Sequence, residues 1–517
     1  MSDVESEVAV LIVGGGPVGL MARALLARWG VRAMLVEKYP ELSPFPRSRL
    51  VNVRSMEIFR QLGLDTTIAA RALAPRFGRI RFRDTLQDRD FATAAMVGVD
   101  APIAESPVLG VVTSQDRLEP TLLGAAETPA RYGIELVDLI EEADSVVAVL
   151  ADHDRAAEIR VRARYVLATD GANSTVRQRL GIGTTGPGAM AGFTTVVFDA
   201  DLAPWCADRP AGVYFTPNGS FAPLYPEGGW AWFALSPEDA EHADWPALVS
   251  RAIGTRTEVK PDVLRVQHWV MTAFLAERFR HGRILLAGDA AHTVPIIGGL
   301  GMNVGIADVH NLCWKLAGVL HGWAAPALLE TYEPERQPVA ERTLRQTVEN
   351  AQLMLQVLTK RRDQRRDGEE AEIELPWSEQ YFAQLGLVLG VAYHSGAIVA
   401  DDSTPPEEGT DYLPTGKPGH RMPHRWLTET RSTLDTLGEW FTLLTPDPAR
   451  WAPQTSAPWP LHIEPLPHDH NAIFDIGSHG ALLVRPDGHI AARWRDYPPS
   501  DTTLAETLAT VTGTAFH

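Results

Sequence analysis

The sequence predicts an α/β architecture with α+β elements, and three observations support it. Three apolar runs, Val8 to Val13, Tyr165 to Ala168 and Ile284 to Ala287, are each followed closely by glycine and then by a helical pattern. Uninterrupted apolar runs of this length fit parallel strands buried on both faces. Between the second and third runs, roughly Thr184 to Arg280, the pattern changes to short strands such as "AGFTTVVFDADL", "GVYFTPNGSFAPLYP", "GWAWFALS" and "VLRVQHWVMTAF". Near the end, "ALLVRPDGHIAARW" reads as a hairpin, with Ala481 to Val484 and Ile490 to Trp494 joined by a Pro-Asp-Gly turn. A chain of 517 residues is too long for one small core, so two or three domains are expected.

Composition narrows the function classes. A hydrophobic content of 45% with 22% charged residues is that of a soluble globular protein. A formal net charge of −18 argues against nucleic acid and anionic membrane as partners. The two cysteines, Cys206 and Cys313, have no Cys-x-x-Cys or zinc spacing, which fits a reducing compartment and predicts no structural cysteine–zinc site. The acidic start "MSDVESEVAVLIVGGG" has too short an apolar run for a signal peptide or a membrane span. A soluble, cytoplasmic protein without metal is expected.

The first run opens the segment "VAVLIVGGGPVGLMARALLARWGVRAMLVEKYP". Gly14, Gly16 and Gly19 form G-x-G-x-x-G, Pro17 stands at the start of a helix carrying Leu20, Ala24 and Ala27, and a second strand, Ala33 to Val36, ends in Glu37-Lys38. Such glycines permit a tight turn, close approach of a pyrophosphate and close packing of helix on strand. An acid ending the second strand can bind a ribose hydroxyl pair. Strand, turn, helix, strand and acid occur in the order of a Rossmann-type dinucleotide site. The motif does not distinguish NAD from FAD.

Three further stretches do. "YVLATDGANSTVRQRLGI" places Asp170 after a strand and Arg177 on a helix, "VVTSQDRLEPTLL" sets Gln115, Arg117 and Glu119 around a helix start, and "LLAGDAAHTVPIIGGLGMNVGIADVHNLCWKLA" follows a strand with Asp289 and a glycine-rich loop. Taken alone, the first is a strand–turn–helix with Ser174 or Asp170 near a cap. Together with the glycine fingerprint, the stretches resemble the FAD-dependent aromatic hydroxylases, the group A flavoprotein monooxygenases of phenol and aromatic-polyketide type. The resemblance is strong over roughly the first 350 residues.

The resemblance implies where non-covalent FAD lies. Asp289 would accept hydrogen bonds from ribityl hydroxyls. The loop Pro295 to Gly301 would approach the isoalloxazine ring, and N–H groups from around Met302 and Asn303 would favour negative charge at its N1–C2=O edge. Glu37 goes to the adenosine ribose, Gln115 to the ribityl–phosphate region and Arg47 to the diphosphate side. Asp170 and Arg177 belong to a motif shared between FAD and nicotinamide. The family often has Gln where this chain has Leu300.

The chemistry implied is reduction of FAD by NAD(P)H, a transient co-substrate, then addition of O₂ to give a C4a-hydroperoxide that hydroxylates an electron-rich ring. Arg49, Tyr225 and Pro295 are the residues expected beside the substrate, a small aromatic molecule, phenolic and on the polyketide side polycyclic. Arg49 would hold a phenolate or carboxylate, against the alternatives of a phosphate contact or a solvated charge. Tyr225 and Trp232 are the aromatics that would face the cavity, against core packing. Alternatives are Baeyer–Villiger oxygen insertion with the same cofactor and a flavin-binding protein that guards an intermediate. A flavin-dependent halogenase is disfavoured, because "WAWFAL" lacks the Ile-Pro of the halogenase motif and no lysine lies between Lys38 and Lys260.

The resulting division is an FAD-binding unit of residues 1–183 and 281–375 and an inserted β-sheet substrate unit of 184–280, joined by part of 75–112. A connecting segment of 376–415 leads to a thioredoxin-like end, 416–517, without cysteines. The charged stretch "KRRDQRRDGEEAEIE" is expected to be exposed and to separate core from end, and the protein to be a monomer or homodimer.

Overall fold

The computed structural model describes residues 6–367, 373, 375, 380, 381, 384–403, 411–454 and 458–515. The three apolar runs meet in one sheet. Ser6–Val13 (β1) pairs in parallel with Ala33–Glu37 (β2) on one side and with Ala157–Ala168 on the other, and Ala157–Ala168 pairs in parallel with Ile284–Leu286. Val10, Leu11 and Ile12 are fully buried, because a parallel sheet covered on both faces leaves no polar side. Pro17–Arg28 (α1) follows the glycine turn and buries Leu20, Met21, Leu25 and Leu26 against the sheet. The second run is longer than the sequence alone indicates. Its first half, from Ala157, pairs antiparallel with Val146–Asp152.

The alternating middle forms a nine-stranded sheet in the order His292–Thr293, Asp262–Ala276, Thr184–Asp199, Gly228–Leu235, Gly219–Tyr225, Val213–Thr216, Arg79–Arg83, Asp90–Met96 and Gln380–Tyr381. Its two faces have different partners. Val196, Phe198, Phe221 and Trp232 pack with Val249, Ala252 and Ile253 of the helix Trp245–Ile253. Ile80, Phe82, Ala94 and Phe215 instead meet Leu50, Ile297 of the glycine-rich loop, and Met354 and Val357. Trp232 is therefore core, with its indole N–H donated to Asn218 O at 3.0 Å, which corrects the expectation that it faces a cavity.

The charged stretch is also corrected in part. Lys360 to Arg366 continues a 35-residue helix, Tyr332–Arg366. Arg361 forks onto Asp84 at 3.1 and 2.8 Å, which ties this end of the helix to the loop after Arg79–Arg83. Most of the remainder of that stretch, and parts of the connecting segment, lie outside the described residues.

The C-terminal strands form a four-stranded sheet in the order Leu461–Pro465, Phe441–Thr445, Ala481–Val484, Ile490–Trp494, with the expected hairpin at its edge. The hairpin turn does not project into solvent. Arg485 and Asp487 are buried beneath the helices Gly301–His321 and Tyr332–Arg366. There Arg485 pairs with Glu335 at 2.7 Å and Lys315 pairs with the same carboxylate at 2.7 Å. Arg421 donates through Nε to Glu57 at 2.9 Å, and Arg54 reaches Asp487 O at 2.9 Å, so the helix Val53–Gln61 is held as well. Among the described residues, no helix is long and apolar enough to cross a membrane.

Candidate functional site

Glycine geometry brings the sequence motifs to one cleft at the carboxyl ends of the parallel strands. Gly14 has φ of +109°, a conformation L side chains rarely adopt, and a Cβ there would stand 2.4 Å from Thr169 O. A Cβ on Gly19 would stand 2.0 Å from Gly14 O, whereas one on Gly16 would meet nothing within 4 Å. The turn is thus packed from behind and open in front. Gly16 is the N-cap of α1 with no side-chain cap, and Pro17 supplies a first helical position that has no N–H to satisfy. Glu37 closes the turn, accepting from Gly15 N–H at 2.6 Å. Lys38 is exposed, with its ammonium over the Tyr39 ring, and the structure does not bring it to the turn.

The Gly288–Ala290 turn follows the third parallel strand. The Asp289 carboxylate faces solvent and accepts no hydrogen bond from any described residue. The protein around it pushes this carboxyl above its ordinary value, against the pull of His292 and Arg47. The helix Gly301–His321 begins nearby. A Cβ on Gly305 would stand 2.6 Å from Val18 Cγ2 and 3.0 Å from Gly288 Cα, so this helix, α1 and the Asp289 turn converge at one point. Its N-cap is Leu300, which offers no side-chain oxygen, and the N–H groups of Gly301, Met302 and Asn303 have no acceptor among the described residues. An uncapped helix start beside an unpartnered carboxylate can receive a ligand with an electronegative edge and hydroxyl groups.

The Asn303 side chain is not available to a ligand. Its Oδ1 accepts from Asn52 N–H at 3.0 Å and its Nδ2 donates to Leu50 O and Gly299 O at 2.9 and 2.7 Å. It clamps the glycine-rich loop and the Leu50–Asn52 segment together. Asp170 is likewise spent on structure. Its oxygens accept from Ser174 Oγ at 2.6 Å and Val176 N–H at 3.1 Å, closing the start of the helix Thr175–Arg179. These bonds support the capping alternative at Asp170. Arg177 donates to Ala290 O and Ala172 O at 2.8 and 2.7 Å, which ties the Asp170 and Asp289 turns together.

Arg49 is not a solvated charge. Its Nη2 donates to Gly212 O at 3.0 Å, just before the strand Val213–Thr216, and to Pro223 O at 2.7 Å, while its buried Nε has no partner among the described residues. Among the described residues no carboxylate pairs with it, and burial lowers its pKa to about 10. Tyr225 differs from expectation. Its hydroxyl donates to Asp116 Oδ2 at 2.6 Å and Arg117 lies over its ring at 4.4 Å, so the phenol is committed to the start of the helix Gln115–Gly124. Burial and the Asp116 bond both push its pKa up, which removes it as a proton carrier near neutrality. Pro295 is buried in the loop between His292–Thr293 and the Gly301 helix, and Arg47 is exposed within electrostatic reach of Asp289 and Glu119. Gln115 is buried and donates through Nε2 to Glu119 at 2.7 Å.

Sequence reasoning missed the groups that hold this cleft from behind. Asp308 is fully buried, accepts from Gly288 N–H at 3.0 Å, His292 Nε2 at 2.6 Å and Arg336 Nε at 2.8 Å, and is held down at about 2 by His292 and Arg336 despite its burial. The only sequence signal for it is an acid on the apolar face of an amphipathic helix. Among the described residues no cluster of His, Cys, Asp and Glu is arranged to hold a metal ion.

A family model described as an FAD binding domain matches residues 7–347, and one described as the C-terminal part of aromatic-ring hydroxylases matches residues 415–515. The chain is 34% identical to the aklavinone 12-hydroxylase RdmE of Streptomyces purpurascens, over 98% of this chain and 98% of that protein. It is equally 34% identical to the tetracenomycin B2 monooxygenase-dioxygenase of Streptomyces olivaceus, with 98% of each covered. In structure it is similar to the flavin-dependent monooxygenase PieE, solved with FAD and substrate, with a TM-score of 0.89 and 30% identity over 99% of this chain and 100% of that one.

Proposed function

The chain belongs to the FAD-binding aromatic-ring hydroxylases, and from that membership we propose that it is an FAD-dependent monooxygenase that inserts one oxygen atom of O₂ into a phenolic, fused-ring aromatic substrate. The observation that carries this reading is the donor-free carboxylate of Asp289 next to an uncapped helix start. FAD offers that site ribityl hydroxyls for the acid and an electron-rich pyrimidine edge for the N–H groups. When bound, FAD supplies the oxygen activation; NAD(P)H serves as the electron donor.

The residues divide the work along the cleft. Glu37 takes the adenosine ribose, and the open face of Gly14, Gly16 and Gly19 with the start of α1 takes the diphosphate, assisted by Arg47 and Gln115. Asp289 binds the ribityl chain, and the N–H groups of Gly301, Met302 and Asn303 favour negative charge at the pyrimidine edge. The substrate lies between the Pro295–Gly301 loop and the nine-stranded sheet, where the apolar side chains exclude water. Arg49 reaches it with its unpaired Nε, holding a phenolate or carboxylate oxygen.

Both thiols are buried and unpaired, and burial raises each thiol's pKa, Cys206 to about 11. Buried thiols held in the neutral form support non-covalent binding, so acid precipitation is expected to release all flavin into the supernatant; flavin remaining on the polypeptide would contradict it. Asp289→Ala is expected to weaken FAD binding roughly tenfold with the fold intact, since charge-assisted hydrogen bonds contribute about 1.5–3 kcal/mol each before water compensates. Unchanged FAD affinity would sink the ribityl assignment. The reaction itself is tested by supplying phenolic fused-ring compounds with NADH or NADPH under ¹⁸O₂. Substrate-dependent oxidation of the nicotinamide with one labelled oxygen in the product is expected. Nicotinamide consumption indifferent to the aromatic, with no labelled product, would overturn the proposal.

A further inference from the structure

One acid beside the cleft is left without a role by the assignments above. Glu119, on the helix Gln115–Gly124, is 2% exposed. Its Oε1 accepts from Gln115 Nε2 at 2.7 Å one turn earlier, while its Oε2 is buried with no donor among the described residues. A buried carboxyl with one oxygen unsatisfied is costly to keep ionised. Burial raises its pKa to about 7; Gln115 and Arg47 pull it down, and Asp116 and Glu37 add to the rise.

The charges that act on Glu119 come from several elements, and Arg71, after the helix Asp65–Ala70, is bonded to Thr121 on the helix that carries Glu119. Asp116 lies on its own helix, Glu37 ends β2, and Tyr132 on Ala130–Tyr132 has a buried hydroxyl that also lacks a partner among the described residues and responds to Glu119 and Glu37. Arg23 on α1 lies near Tyr132, but its guanidinium is used by Leu123 O, Ala126 O and Thr128 O. Among the described residues Arg47 is the cation of this group that is not so bound, and it acts on both Glu119 and Asp289.

We propose that Glu119 positions the Gln115 amide and competes with the cofactor diphosphate for Arg47, so that the charge on this one carboxyl sets how tightly FAD is held. The inference rests on the assignment of the cleft to FAD. An ionised Glu119 adds a negative charge near two phosphates in surroundings that screen poorly, and it draws Arg47 toward itself. A protonated Glu119 does neither. Bound diphosphate therefore favours the protonated acid and lifts its pKa further. Above about pH 7 the complex then holds more protons than the free protein, and by linkage FAD affinity falls as pH rises.

The test is FAD titration of the flavin-stripped full chain between pH 6 and 8.5, followed by flavin fluorescence. In the wild type the Kd is expected to rise several-fold per pH unit above about 7, within the roughly tenfold limit set by one proton. Glu119→Gln should remove this slope and keep the low-pH affinity throughout, while Asp289→Asn should bind more weakly at every pH and retain the slope. A flat wild-type profile, an unchanged slope in Glu119→Gln, or loss of the slope in Asp289→Asn alone would each overturn the proposal. Absence of saturable FAD binding by the wild type at any pH would instead sink the cofactor assignment, and this proposal with it. Circular dichroism of Glu119→Gln guards against misfolding, and the wild-type profile tests the idea even if that variant does not fold.

Discussion

Arg49→Lys is expected to retain FAD and to lose roughly ten- to a hundredfold in kcat/KM for the aromatic substrate, the equivalent of the about 1.5–3 kcal/mol of one hydrogen bond from a charged group. The planar guanidinium uses one nitrogen for two main-chain carbonyls at the second sheet and leaves its Nε without a partner among the described residues, so a single side chain both braces that sheet and presents a donor. An ammonium on a flexible stem cannot be held by Gly212 and Pro223 and at the same time present a fixed donor elsewhere. Measuring flavin content, melting temperature and substrate-dependent NAD(P)H oxidation together separates the roles. Normal turnover ends the substrate assignment. Loss of flavin with normal kinetics in the remaining holoenzyme moves Arg49 to the cofactor, and a lower melting temperature with both preserved makes it only a brace.

Glu335→Ala is expected to cost ~3–5 kcal/mol of stability, because it leaves buried charge without a counter-ion. The Glu335 carboxylate accepts from Arg485 Nη1 and Nη2 at 2.7 and 2.9 Å, Lys315 at 2.7 Å and Asn311 at 2.6 Å. With it gone, Arg485 keeps Asp487 and Lys315 keeps no carboxylate in contact among the described residues. Lys315, already lowered to about 8 by burial, would lose the partner that sustains its charge. The change should appear as a lower denaturant midpoint and a shorter half-life on heating, with the C-terminal sheet loosened from the helices it locks. A denaturation midpoint equal to that of the wild type would show that the network contributes nothing to stability.

Much of this protein was legible from residue order. Uninterrupted apolar runs identify parallel strands because burial on both faces leaves no polar side, and Val8 to Val13, Tyr165 to Ala168 and Ile284 to Leu286 lie within strands of one sheet. The glycine turn, the acid ending β2, the uncapped Gly301 helix and the Arg485–Gly488 hairpin were legible too, since each depends on neighbours within a few residues. What residue order could not decide was where polar side chains spend their hydrogen bonds. Asp170 reads as a ligand until Ser174 and Val176 are seen to take both oxygens, and Tyr225 reads as a cavity phenol until Asp116 is found beside it. Glu119, Asp308 and Glu335 look like ordinary helix acids. The groups that set their charge, Arg47 and Glu37 near the first, Gly288 and Arg336 on the second and Arg485 on the third, arrive from distant parts of the chain. Periodicity and turn chemistry are local, so the sequence by itself determined the elements and the cofactor-binding motifs. The charge state and availability of a buried group depend on what the fold packs against it, so only the tertiary structure decided which acids face the cleft and which hold it from behind.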